Sequence, residues 1–170
     1  EMSTLPVKAI HLASSACIDL AAIELNSTVK ESYSNLEFFN LSSETVKAPE
    51  LKLRVYLMGF AGELAKPFED KKAHKKGFVL FLLEEVTEIV NGNSSLDNFY
   101  SKHHFFMKYY GDYAPEGMSG CGVWAFEKKI YSPIWHVEPK LVGIQSAYYD
   151  SAELLKGEKL DNLFKLLDNV

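Results

Sequence analysis

The segment best suited to chemistry is Pro115-Glu116-Gly117-Met118-Ser119-Gly120-Cys121-Gly122-Val123-Trp124, a serine set among glycines ahead of an apolar run. Glycine lets a main chain approach a bound molecule closely and adopt dihedral angles closed to other residues. On such a turn two backbone N–H groups can aim at one point and stabilise an oxyanion, with the serine oxygen beside it. A glycine-rich β-turn that merely contains a serine accounts for these residues equally well. Cys121 offers a second nucleophile. On a strand its side chain points away from the Ser119 turn, and free cysteines usually pack as small hydrophobes.

Two other segments bear on the choice. Ile18-Asp19-Leu20-Ala21-Ala22-Ile23-Glu24-Leu25 sets the Asp19 carboxylate in an apolar run. An unpaired carboxylate is costly to bury, so Asp19 is expected to have a partner. Leu141-Val142-Gly143-Ile144-Gln145-Ser146 reads as a strand with a small-residue break. Together the three segments resemble the trypsin/chymotrypsin-like serine peptidase family, in order and in spacing. That family has an Asp-Leu/Ile-Ala strand, a Gly-x-Ser-Gly turn and a Leu-Val-Gly-Ile-x-Ser strand. Leu53 to Phe60 looks like the strand that opens its second barrel. The likeness covers nearly the whole chain, though each motif is short. The serine turn is the most specific of them.

The resemblance implies an all-β, chymotrypsin-like double β-barrel with a C-terminal α-helix. Residues 1–45 would be a remnant of the first barrel, incomplete here, and 46–170 the second barrel and the helix. It implies a serine endopeptidase, a hydrolase acting on polypeptide by Ser-His-Asp catalysis without cofactor or metal. Ser119 would be the nucleophile and Asp19 the triad acid. The N–H groups of Gly117 and Ser119 would form the oxyanion hole. Ser146 would border the substrate, and uncharged Tyr113 would lie near the floor of the specificity pocket. Tyr148 stands where the family usually has glycine, which narrows or closes that pocket.

The departures from the family are informative. His11 is too close to Asp19 to serve as the triad base. His74, His103, His104 and His136 all follow Asp19 and lack the Ala-Ala-His-Cys setting. The base is therefore expected from a missing N-terminal barrel segment or another chain, and this chain alone should be nearly inactive. Met118 replaces the aspartate that pairs with a new N-terminal amine in zymogen-activated members, so no such activation is expected. Cys121-Gly122 replaces the usual residues after Ser119-Gly120. The rival reading is a catalytically inactive binding or sensing module derived from a peptidase. A third is an unrelated β-domain, which predicts that Asp19 and Ser119 lie far apart.

The elements that must hold these residues follow from periodicity. Leu51 to Leu57 alternates apolar and polar residues, as a half-buried strand does. Phe78 to Val90 suits one or two strands, and Phe99 to Tyr110, Gly120 to Phe126 and Leu141 to Ala147 suit further ones. Lys66 to Lys76 reads as an exposed loop or hairpin tip, with Glu69 and Asp70 interrupting its lysines. Asn26 to Glu50 is polar and marks the subdomain boundary. Leu160, Leu163, Phe164 and Leu167 recur at helical spacing and predict a terminal helix over Glu158 to Asp168.

Composition narrows the function classes. The 170 residues are 47% hydrophobic and carry a formal charge of -5, which fits one folded domain or two small ones. The acidic balance disfavours nucleic-acid binding. The run Phe78 to Leu83 is too short to cross a membrane, and the opening residues do not read as a signal peptide. Cys17 and Cys121 are expected as free thiols in a cytoplasmic, reducing setting, with secretion kept open. Asn26, Asn40 and Asn93 begin acceptor triplets for glycosylation, which arise often by chance in a chain rich in Ser and Asn. His103-His104 is not expected to ligate a metal, because neighbours on a strand face opposite ways.

Overall fold

The computed structural model describes residues 7–13, 15, 17–26, 29, 39–70, 75–79, 82–92, 95–128 and 137–168. Its centre is a closed antiparallel barrel of six strands. These are β3 (Arg54–Phe60), β6 (Leu82–Val90), β7 (His104–Lys108), β8 (Gly122–Lys128), β9 (Val137–Tyr149) and β10 (Leu154–Lys159). Around the barrel they run in the order β10-β7-β6-β3-β8-β9. Closure leaves the barrel no unpaired edge.

Period-two patterning explains the barrel wall. In β3, Val55, Leu57 and Gly59 point inward while Met58 and Phe60 stay exposed. Val123 of β8, Val142 of β9, Met107 of β7 and Leu155 of β10 complete the fully buried centre. A fully buried side chain of this kind contributes about 1.5–3 kcal/mol, so this interior holds the fold. The Phe105 ring lies against the glycines of the paired strands β9 and β10. A Cβ on Gly143 or Gly157 would come within 2.6 or 2.3 Å of its ring, which explains glycine at both positions.

Two hairpins stand outside the barrel. The first pairs β1 (Val7–Leu12) with β2 (Ala21–Leu25), and the second pairs β4 (Lys66–Asp70) with β5 (Lys75–Val79). The lysine-rich stretch expected as an exposed loop or hairpin tip supplies both arms of a hairpin, with ladder at residues 66–70 and 75–76 and residues 71–74 outside the described ones. The expected run Phe78 to Val90 divides between β5 and β6. Of the expected remnant of a first barrel, the described residues show the β1–β2 sheet. Asn26 to Glu50 is partly outside the described residues. Its end is tied to the barrel, since Lys47 N donates to the Leu141 carbonyl at 2.8 Å and Leu141 N to that of Thr45 at 2.9 Å.

The terminal helix, α1, spans Leu160–Leu167 and buries Leu160, Asn162 and Leu166. It begins two residues later than its periodicity suggests. Glu158 and Lys159 belong to β10, where Glu158 pairs with His104 and Ile144. Among the described residues no helix is long and apolar enough to cross a membrane.

Candidate active site

The turn between Tyr113 and β8 carries Ser119 at the surface. Gly117 and Gly120 both have φ of +92°, in the left-handed region that favours glycine. Gly117 has a second reason to be glycine. A Cβ there would lie 2.8 Å from Gly62 N and 3.0 Å from the Phe60 carbonyl. The turn is thus pressed against the exit of β3, and Gly62 N donates to the Glu116 carbonyl at 2.7 Å. Met118, between the exposed glycine and serine, is only 2% exposed and anchors the turn in the core.

Main-chain bonding alternates along the turn. Met118 N donates to Pro115 O, Gly120 N to Gln145 O and Cys121 N to Met118 O, at 2.8–3.0 Å. The N–H groups of Gly117 and Ser119 have no partner among the described residues. The Ser119 hydroxyl donates to the Ser146 carbonyl on β9, at a long 3.4 Å. Two residues expected at the site, Ser119 and Ser146, are therefore neighbours. Tyr113 and Tyr148 are linked through a third. The Tyr109 hydroxyl donates to the Tyr113 carbonyl, and the Tyr109 ring meets that of Tyr148 edge-on at 5.3 Å. Burial, then the neighbouring Asp150, raises the pKa of Tyr148.

Cys121 lies under the turn, against Gly59. Burial pushes its thiol up to about 11, which leaves almost no thiolate near neutrality.

Asp19 lies just ahead of β2 and is exposed. It makes no hydrogen bond or ion pair with any described residue. Its expected partner is not found there because the carboxylate is solvated rather than buried. The described histidines have other partners. His11 Nε2 lies 3.4 Å from Glu24 Oε2, and His103 Nδ1 lies 2.8 Å from Asn162 Oδ1. His74 and His136 lie outside the described residues.

His104 belongs to a polar cluster that sequence reasoning missed. Its Nδ1 accepts from Tyr100 N at 2.9 Å, so the ring proton sits on Nε2 in the neutral form. Nε2 lies 3.2 Å from Glu158 Oε1, off the line of a hydrogen bond. Lys156 Nζ is 3.7 Å from the same oxygen, and the Ser146 hydroxyl donates to it at 3.1 Å. Asn162 Nδ2 reaches Glu158 Oε2 at 3.4 Å. Burial acts most strongly on Glu158 and raises its pKa. His104, Lys156 and Ser146 together outweigh burial and hold it below the ordinary carboxylate value. The signal for this cluster was the alternation in Leu155-Lys156-Gly157-Glu158, a strand period hidden beside the helix pattern. Among the described residues no group of three His, Cys, Asp or Glu side chains could hold a metal ion.

No family model matches the chain, and no curated protein matches it.

Proposed function

We propose that this chain is the nucleophile-bearing part of a trypsin-like serine endopeptidase. The observation that carries the reading is the Ser119 turn. An exposed hydroxyl sits between two glycines at positive φ, and the N–H groups of Gly117 and Ser119 have no main-chain partner among the described residues. In this reading Ser119 attacks the scissile carbonyl and those two N–H groups hold the oxyanion. The base is a histidine from outside residues 1–170, set between Ser119 and Asp19 by the first half of a double barrel. Asp19 is then solvated here because the imidazole it orients is not part of this chain. The high pKa of Cys121 supports serine over cysteine as nucleophile.

A serine-directed fluorophosphonate tests the proposal. Applied to the full-length protein, it should label Ser119, and Ser119→Ala should lower peptide hydrolysis by roughly a millionfold. The residue is exposed, so the same change should move stability by no more than about 0.5 kcal/mol. Label on Cys121 would reassign the nucleophile.

A second reading, a binding module without catalysis, draws on the bonds of Ser119 and the histidines. The Ser119 hydroxyl donates to a carbonyl, and His11, His103 and His104 all face other partners. Absence of label in a folded full-length protein would favour it.

A further inference from the structure

Gln145 holds a buried acceptor with no partner among the described residues. Its side chain is only 2% exposed, and its Nε2 donates to the Ala147 carbonyl at 3.2 Å. A carbonyl accepts and cannot donate, which fixes the amide with Oε1 on the far side. Oε1 meets no donor among the described residues. Leaving such an oxygen unpaired is costly, so native proteins generally give it a partner, whether protein, water or ligand.

The position of Gln145 indicates which partner. It pairs with Gly157 across the β9–β10 ladder, so both face the same side of the sheet. A Cβ on Gly157 would run into the Phe105 ring of the core, so that side is the barrel interior. The main chain of Gln145 also clasps the serine turn. Its carbonyl takes Gly120 N at 2.8 Å, and its N–H reaches the Cys121 carbonyl at 2.9 Å. An unpaired acceptor is thus mounted one residue from the carbonyl that receives the Ser119 hydroxyl.

We propose that Gln145 is a specificity-determining residue whose Oε1 accepts a hydrogen bond from the substrate side chain beside the scissile bond. The ligand class is a polypeptide with a neutral N–H donor there, the primary amide of glutamine or asparagine. The acceptor is an uncharged amide, and an ammonium buried against it would lack a counter-charge. Tyr148 packs against the same core and meets Tyr109 edge-on, and its ring would turn aside to admit the substrate side chain. The proposal rests on the reading of Ser119 as the site of peptide binding.

Binding to the full-length protein carrying Ser119→Ala separates this inference from catalysis. Two peptides are compared by titration calorimetry, one with glutamine and one with norleucine at the same position. The glutamine peptide should bind about ten- to a hundredfold more tightly, the range for supplying or denying a buried acceptor its donor. Gln145→Met, of similar volume, should remove the preference and keep the norleucine affinity. Equal affinities in the parent protein, or a preference that survives Gln145→Met, would overturn the proposal and leave Oε1 to a buried water. Fluorophosphonate labelling of Ser119 is read separately. A preference without labelling overturns the peptidase reading alone, and labelling without a preference overturns the role of Gln145 alone.

Discussion

Ser119 and Cys121 share one turn but not one chemistry: a hydroxyl needs help to become a nucleophile, and a thiol needs only to lose its proton. Burial denies Cys121 that loss by moving its thiol to about 11. Iodoacetamide at pH 8 should therefore leave Cys121 unmodified in the native protein and modify it once urea unfolds the chain, as read by peptide mass spectrometry. Rapid native alkylation of Cys121 would show that the thiol is ionised. Residue types alone pointed to the Ser119 turn, because glycine spacing is a local signal, and the peptidase resemblance pointed to Ser146, its neighbour in the structure. They did not reveal that Asp19 is exposed. Burial belongs to a residue's surroundings, and the apolar letters around Asp19 belong to a hairpin whose outer face is open.

At the scale of elements, β10 carries a charge cluster that a short helix partly roofs. Glu158 is fully buried and Lys156 nearly so, and removing one of a buried pair strands the other. Glu158→Ala should lower stability by about 3 kcal/mol in urea unfolding. Lys156→Met combined with Glu158→Leu should cost less than either change alone. The cluster also sets a pH dependence. Glu158 ionises at lower pH in the folded chain than the ordinary 4.5 of the unfolded one. Its contribution is complete above that ordinary value and is lost as pH falls through the lowered folded one. Urea midpoints should drop below about pH 5, and the drop should be smaller in Glu158→Gln. Glu24, Glu127 and Glu153 shift the same way beside lysines, but they lie near the surface and add little. A drop of the same size in Glu158→Gln would assign the acid sensitivity elsewhere. Strand positions were readable wherever one face is apolar, as in β3. In β10 both faces are buried, the alternation is polar against small, and the helical spacing of Leu160 onward masked it.

Across the whole molecule, the barrel and the N-terminal hairpin differ in how they bury their apolar residues. The barrel encloses those of its inward face. On the hairpin, Ile10 is paired with Ile23, and these two and Leu12 are 63%, 61% and 72% exposed. A two-stranded sheet with an open apolar face is marginal on its own. Residues 1–170 prepared alone should self-associate, and Ile10→Lys with Ile23→Lys should restore a monomer in sedimentation velocity. A monomeric parent would show that the face is tolerated in water. The all-β class and the terminal helix were legible from periodicity across the chain. A barrel was expected over residues 46–170 and a closed one is found, but its strand order was not legible, because it depends on pairings such as β7 with β10 that link distant residues.

The turn at Ser119 also shapes what the protein can lose and recover over generations. Its shape is held by main-chain bonds, by the buried Met118 and by two glycines, none of which involves the serine hydroxyl. A lineage that traded the serine for alanine would keep the turn intact and stand one substitution from recovery. Gly120 has open space where a Cβ would go, so Gly120→Asn should cost only about 1 kcal/mol for its positive φ. Gly117 has neither space nor a permitted angle, and Gly117→Ala should cost more than about 2 kcal/mol. A saturation library scored for folded protein should therefore accept almost any residue at Ser119, a few at Gly120 and glycine alone at Gly117. On the peptidase reading such a lineage could fall silent at the serine and return, but a change at Gly117 would close the way back.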